Sequence, residues 1–231
     1  MTVKSLPLVA VVIMVAGSLS ASADVGRLLP SVSRQLDRAE SCLESGRLAE
    51  AQAYADLTLM SREIGVSVTG DVRGVSWSAL QDWERALSGQ VRFVASTPSR
   101  ADLTIDFKPS IALAGKDVVG SATCRRGVRE WSGGIFTYHV TGSLEIATRS
   151  PLGTELSVAA LKQTAMHELG HFLGLDDTSK VGSLMGPIDL FRTVSGPTDA
   201  ELNVLYDMRA QAVTIKDRAV MALLVPSGFL R

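Results

Sequence analysis

The chain has 231 residues, which is enough for one globular domain of ordinary size with a small appendage. Its 23 basic and 24 acidic side chains give a formal net charge of −1, without the basic excess of a nucleic-acid-binding protein. Hydrophobic residues make up 46% of the chain and charged residues 20%, a balance typical of a packed core. The composition therefore excludes a disordered chain and argues against nucleic acid as a partner.

The first 23 residues have the pattern of a secretory signal peptide. Lys4 supplies a positive charge, residues 6–16 form an apolar stretch, and residues 21–23 (ASA) form a small-x-small cleavage site. The apolar stretch is shorter than the roughly 20 residues that a membrane-spanning helix needs. We therefore predict cleavage between Ala23 and Asp24, a secreted or periplasmic mature protein, and no stable membrane insertion once the signal is removed.

Two cysteines, Cys42 and Cys124, remain in the predicted mature chain. They are too few for a cysteine-rich scaffold or for a four-cysteine zinc site. In an oxidising compartment they could form a disulfide, and the alternative is a pair of buried free thiols. The sequence favours neither of these two states.

Residues 24–63 are predicted to form an α-helical hairpin ahead of the main domain. Two apolar stripes with helical spacing indicate its helices: Val32, Leu36, Ala39 and Leu43, then Leu48, Ala51, Ala55 and Leu59. We expect Ser31 to cap the first helix, Gly46 to end it, and Gly65 to stop the second. The hairpin is expected to cap the following domain, and a removable pro-segment is the alternative.

From residue 64 the pattern becomes α+β. Alternating polarity predicts strands at 64–69, 91–95, 102–107, 118–123, 135–140 and 144–148, and the last two are expected to form a hairpin with its turn at Thr141 and Gly142. Helices are predicted from Ser76, over 156–175 and over 199–211, and residues 213–231 form a tail expected to dock on the domain. The glycines between residues 110 and 134 are expected to break that stretch into loops.

The helix predicted over residues 156–175 carries the most informative side chains. His167 and His171 are four residues apart, so one helical turn places both imidazoles on one side, where they can bind one Zn²⁺ ion. Glu168 points about 100° away around the helix, which suits a base acting on water. After the helix, Asp177 comes within reach as the third protein ligand that catalytic zinc needs.

The segment HELGHFLGLDD at residues 167–177 resembles the zinc signature of the matrixins, a family of metzincin metallopeptidases. The SLMGP segment that follows, at 183–187, resembles the family's Met-turn, which places a methionine beneath the metal. The Trp-rich helix, the ADLTIDF and SLEIATR strands and the final helix occur in the matrixin order, so the resemblance spans residues 64–212. It implies a metzincin-like zincin fold of the α+β class, with a mixed, mostly parallel twisted sheet and an active-site helix.

The resemblance also assigns roles to individual residues. It implies one catalytic Zn²⁺ ion bound by His167 and His171, with Glu168 as the general base. Gly174 matches the glycine that ends the active-site helix, and Met185 matches the methionine of the Met-turn. Both are expected to support the site rather than to take part in the chemistry.

The sequence departs from the matrixin pattern in three respects. The usual third histidine is replaced by Asp177, as in the snapalysin-like metzincins, which makes Asp177 the expected third ligand. Asp176 aligns with a matrixin aspartate that is not a ligand and ranks second, and His139 is the one other histidine. No cysteine switch precedes the domain. The histidines and aspartates of the family's structural zinc and calcium loop are largely absent from residues 108–134, so a second zinc is not predicted and calcium is left open.

These features predict an exported zinc-dependent endopeptidase that hydrolyses peptide bonds with Glu168 as general base. Its partner is a protein or peptide substrate, expected to lie extended along a sheet edge at residues 118–123 or along the hairpin at 135–148. The alternative is a non-catalytic, exported, zinc-containing module that uses the helical hairpin for partner contact. A monomer is expected, although the sequence leaves the oligomeric state open.

Overall fold

The computed structural model describes residues 10–12, 26–59, 63–71 and 73–224. Its helices are α1 (Pro30–Glu44), α2 (Leu48–Leu59), α3 (Val75–Ala86), α4 (Val158–Leu173) and α5 (Asp199–Leu224). Its strands are β1 (Ala10–Val12), β2 (Glu63–Thr69), β3 (Arg92–Ala95), β4 (Leu103–Lys108), β5 (Ile111–Leu113), β6 (Lys116–Val118), β7 (Gly120–Trp131) and β8 (Ile135–Ala147). Among these residues no helix has the length and apolar character needed to cross a membrane. The predicted signal cleavage position lies outside them.

One mixed sheet organises the domain, with strand order β1-β7-β8-β4-β2-β3. Strand β2 pairs in parallel with β3 and β4, and β4 pairs in parallel with β8. Strand β7 is antiparallel to β8, and the three-residue strand β1 lies antiparallel to residues 123–125 of β7 at the edge of the sheet. The predicted α+β fold with a mixed, mostly parallel sheet is thereby confirmed.

The helical hairpin shares its core with the rest of the described chain. Helices α1 and α2 pack against each other and against α5, and α2 also packs against β7 and β8. One continuous cluster of buried residues includes Leu36 and Leu57 from the hairpin, Ile105 from the sheet, Leu169 from α4 and Leu205 from α5. Residues 30–59 therefore contribute to the same hydrophobic core as the metal-site helix.

The predicted hairpin at 135–148 is wrong, because residues 135–147 form the single strand β8. The hairpin instead joins β7 to β8 through residues 132–134, with Trp131 opposite Ile135. Glycines were expected to make loops here, yet Gly127 and Gly142 lie within the strands. A Cβ on Gly127 would lie 2.6 Å from the ring of His139, and one on Gly142 would lie 2.5 Å from Phe172. These glycines make room for neighbouring rings rather than breaking a strand.

Several predicted helix ends also differ from the structure. Helix α1 begins at Pro30, so Ser31 lies inside its first turn and is not the N-cap. Gly65 lies in β2, not at the end of α2. Ser76 does not cap α3, because the side chain of Asp71 accepts hydrogen bonds from the first backbone N–H groups of that helix.

The final helix is longer than the predicted 199–211. It continues to Leu224, so the proposed boundary between residues 212 and 213 falls inside α5. The buried residues Ala212, Ile215 and Ala219 continue the apolar face of the helix beyond that boundary. The segment assigned to the tail is therefore in large part a packed helix.

Candidate active site

The active-site helix α4 has a defined beginning and end. Ser157 caps it, since its hydroxyl accepts a hydrogen bond from the backbone N–H of Ala160 at 3.1 Å. Gly174 ends it with φ of 118°, a left-handed conformation that glycine adopts at little cost. The indole N–H of Trp83 donates to the carbonyl of Met166 at 3.0 Å and ties α4 to α3. The rotation of the helix is thereby fixed, and with it the direction of its side chains.

Both histidine rings are buried and oriented by main-chain carbonyls. His167 and His171 are 3% and 1% exposed. Nδ1 of His167 lies 2.8 Å from the carbonyl of Leu184, and Nδ1 of His171 lies 2.9 Å from the carbonyl of Leu175. Because a carbonyl can only accept, each Nδ1 carries the hydrogen and each Nε2 is left for a metal ion.

The carboxylate of Asp177 completes a three-sided group with the two Nε2 atoms. Its Oδ1 lies 3.3 Å from Nε2 of His167 and 3.4 Å from Nε2 of His171. Two ligand atoms about 2.05 Å from a tetrahedral zinc ion are roughly 3.3 Å apart, so the spacing fits that metal. Among the described residues, these three form a group whose ligand atoms are close enough together to hold one metal ion.

The charges in this group favour a protonated imidazole when no metal is bound. Burial alone would lower the pKa of His171, but the hydrogen bond with Asp177 and the charges of Glu168 and Asp177 raise it to about 9. Burial would raise the pKa of Asp177, whereas the two histidines hold it well below its usual range. A divalent cation can replace that proton as the partner of the carboxylate, and its binding would release the proton.

Glu168 lies beside the three-sided group with its carboxylate buried. The residue is 1% exposed, burial raises the pKa of its carboxyl, and its Oε2 has no hydrogen-bond partner. Its other oxygen packs against Gly120 at the start of β7, where a Cβ would overlap Oε1 and lie 2.7 Å from Thr164. Gly120 does not stand out in the sequence, because no local pattern shows that a glutamate from another segment approaches it.

The segment containing Met185 packs beneath α4. Met185 is 1% exposed, and its sulfur lies so close to Gly170 that a Cβ there would overlap it. The backbone N–H of Met185 donates to the buried carboxylate of Glu201 on α5 at 2.7 Å. Met185 thus lies against the helix that carries both histidines. Gly170 and Glu201 were not singled out by the sequence.

The remaining candidate residues do not belong to the group of potential metal ligands that the described residues form. Asp176 turns its carboxylate toward Arg27, with an Nε–Oδ2 distance of 3.0 Å. His139 is exposed on β8, opposite Gly127. Cys42 and Cys124 are both buried free thiols.

A helix that presents two histidines four residues apart and a buried glutamate between them, packed beside a mixed, mostly parallel sheet, is typical of the zincin class of metallopeptidases. The model of the matrixin family, peptidase family M10, matches residues 60–196, more than half of the chain. The protein therefore belongs to the matrixin family, a family of zinc metallopeptidases that hydrolyse peptide bonds. A comparison with curated proteins found no match.

Proposed function

We propose that the protein is an exported zinc endopeptidase in which His167, His171 and Asp177 bind one catalytic ion and Glu168 is the general base. The observation that carries this proposal is the position of Glu168, whose buried carboxylate adjoins the three-sided group and keeps Oε2 without a partner. Burial away from water raises the pKa of the Glu168 carboxyl, and a raised pKa suits a group that must both take up and release a proton.

The chemistry follows from these positions. A zinc ion held there would act as a Lewis acid on the scissile carbonyl and on water. Glu168 accepts a proton from the attacking water as the oxygen bonds to the carbonyl carbon. It then donates that proton to the amide nitrogen as the C–N bond breaks, which releases a carboxylic acid and an amine. The glutamate is thereby restored to its starting state.

The edge of β7 is the proposed place for the substrate main chain. Gly120, where β7 begins, adjoins Glu168, so a peptide paired along this edge would pass the catalytic group. In the described structure residues 10–12 already pair antiparallel with residues 123–125 of this edge. Cleavage of the signal at Ala23 would remove β1 and leave those backbone groups for an extended peptide.

The non-catalytic alternative is less well supported by the site. A structural zinc site is closed by four protein ligands, whereas the group formed by the described residues has three. Moreover, the alternative requires the hairpin to be free for a partner, and α1 and α2 are instead packed on α5. Both observations therefore support the peptidase rather than the binding module.

Metal content and peptide cleavage, measured on the mature protein and on Glu168→Gln, test the proposal. We expect one zinc per chain in both proteins and at least a 100-fold lower kcat in the variant, because the amide cannot take up the proton. Glu44→Gln, at the exposed end of α1, serves as the matched control and should cleave normally. Zinc without cleavage in the wild-type protein would instead support the binding module, and a protein without zinc would refute the metal site. N-terminal sequencing of exported material tests the cleavage at Ala23.

A further inference from the structure

We propose that Arg27 positions the metal ligand Asp177 by acting through Asp176. The proposal rests on the function proposed above, because it takes Asp177 to be a ligand. It makes the segment at residues 26–29, which follows the predicted signal cleavage position by only a few residues, a part of the metal site. Residues 24–63 would then be needed in the active protein rather than removed from it.

The main chain supplies the first contact between the two segments. The backbone N–H of Leu29 donates to the carbonyl of Gly174 at 2.8 Å, and that of Asp176 donates to the carbonyl of Arg27 at 2.9 Å. An antiparallel bridge between Leu28 and Leu175 lies between these hydrogen bonds. The chain that leaves α4 is thus held by the N-terminal segment up to the residue immediately before Asp177.

The side chains extend this contact to Asp177 itself. Nε of Arg27 lies 3.0 Å from Oδ2 of Asp176, and Oδ1 of the same carboxylate accepts a hydrogen bond from the backbone N–H of Asp177 at 3.0 Å. Asp176 is the more buried partner, with its side chain 17% exposed against 63% for Arg27. Arg27 therefore fixes the carboxylate that in turn fixes the backbone of the ligand.

Asp177 is also held from its other side. The backbone N–H of Thr178 donates to the carbonyl of Met185 at 2.9 Å. Since both neighbours of Asp177 are fixed, the direction of its side chain depends on few rotations. A ligand that is already oriented binds metal more tightly, because less conformational entropy is lost on binding. Loss of the Arg27 contact should free Asp176 and leave the backbone of Asp177 held only through Thr178.

Gly26 connects the same segment to the Met185 side of the site. A Cβ on Gly26 would lie 3.0 Å from Cα of Glu201 and 3.2 Å from the carbonyl of Ala200, so the glycine packs directly on the start of α5. Glu201 in turn accepts the backbone N–H of Met185. Residues 26–29 thus contact the segment that precedes Asp177 and also the start of α5, whose Glu201 holds Met185.

The test is a zinc titration of the mature, full-length protein against a competing chelator. The variants are Arg27→Ala, Arg27→Lys and Asp176→Asn, with Arg92→Ala as the matched control. Arg92 pairs with Glu63 at 3.0 Å and is as exposed as Arg27, with a side chain 66% accessible. The spectrum of the cobalt-substituted protein provides a second readout of ligand geometry that does not depend on activity.

We expect Arg27→Ala and Asp176→Asn each to weaken zinc binding about 10-fold, the lower end of the effects seen for residues that orient metal ligands. Arg27→Lys should restore part of the affinity, and Arg92→Ala should have no effect. The double variant Arg27→Ala/Asp176→Asn should be no weaker than either single variant, because both act through one contact.

The outcomes separate this inference from the proposed function. Normal zinc affinity and an unchanged cobalt spectrum in Arg27→Ala would overturn the inference and leave the peptidase proposal intact. Additive losses in the double variant would also overturn it, since Arg27 would then act by another route. A wild-type protein that binds no zinc would refute the proposed function and the inference with it. If Arg27→Ala fails to fold, Arg27→Lys and Asp176→Asn decide the question.

Discussion

Helix α4 and the loop at residues 175–187 both contribute to the proposed metal site, but different interactions hold them in place. The histidines of α4 are carried by a capped helix whose side chains at 163–173 are all buried. Asp177 belongs to a segment without regular secondary structure, and its own side chain is 30% exposed. Packing therefore fixes the two histidines, whereas a few individual hydrogen bonds fix Asp177. The two parts of the site should respond differently to substitution.

Removal of a helix ligand should have the largest effect. We expect His171→Ala to abolish stable zinc binding, because it removes a buried ligand and also leaves the carbonyl of Leu175 without its partner. Asp177→Ala should weaken binding but retain more affinity, since the two histidines stay in place. Chelator competition measures both variants. Equal loss of zinc in the two variants would show that the loop ligand is as fixed as the helix ligand.

Gly120→Ala should lower activity by about 100-fold while zinc is retained. The added Cβ would overlap Oε1 of Glu168 and displace the carboxylate, and a displacement of about 1 Å commonly has an effect of this size. Gly127→Ala is the control on the same strand, where the Cβ meets the exposed ring of His139. The measurement is kcat/KM with metal content. A variant that loses zinc instead would place Gly120 in support of the metal ligands.

Glu201→Ala should destabilise the loop side more than it disturbs α4. The buried carboxylate accepts hydrogen bonds from the backbone N–H groups of Met185 and Thr198, and its loss leaves a buried donor unpaired, at about 1–3 kcal/mol. Urea unfolding followed by circular dichroism measures this change. Glu201→Gln keeps one acceptor oxygen and should lose less. An unfolding free energy equal to that of the wild type would mean that water replaces the carboxylate.

Ser157→Ala should have the smallest effect of these changes. Loss of an N-cap hydroxyl lowers the free energy of unfolding by about 1 kcal/mol, because the N–H of Ala160 loses its acceptor. Zinc affinity should be unchanged, since thirteen buried residues still hold the helix against the core. Thermal unfolding and chelator competition measure the two quantities. Weaker zinc binding in this variant would contradict the conclusion that packing fixes α4.

The same contrast separates what the sequence predicts from what it does not. The spacing of His167, Glu168 and His171 on one helix is a local property, and Gly174 marks the end of that helix. Asp177 could be placed near them because only a short segment separates it from the helix. These features depend on residues close in the chain, so periodicity and a family signature were enough to find them.

Contacts between distant segments were not visible in the pattern. Gly127 and Gly142 were assigned to a loop and a turn because glycine commonly breaks strands, whereas each accommodates an aromatic or imidazole ring. Gly120 and Arg27 act through residues about 50 and 150 positions away, and nothing in their own surroundings indicates this. The cap of α3 was missed for a different reason, since it comes from Asp71, which lies five residues before Ser76, the residue expected to cap the helix.

The carbonyls of Leu184 and Leu175 have one further consequence. Both histidine rings are oriented by main-chain atoms, and every amino acid supplies a carbonyl at these positions. A scan that replaces side chains one at a time would therefore report how well each leucine packs and would leave the orienting contact in place. The path of the backbone therefore determines that each histidine turns Nδ1 toward a carbonyl and leaves Nε2 for the metal ion. Backbone editing, such as replacing the carbonyl oxygen of Leu184 by sulfur, would weaken this acceptor and keep the N–H of Met185 that donates to Glu201.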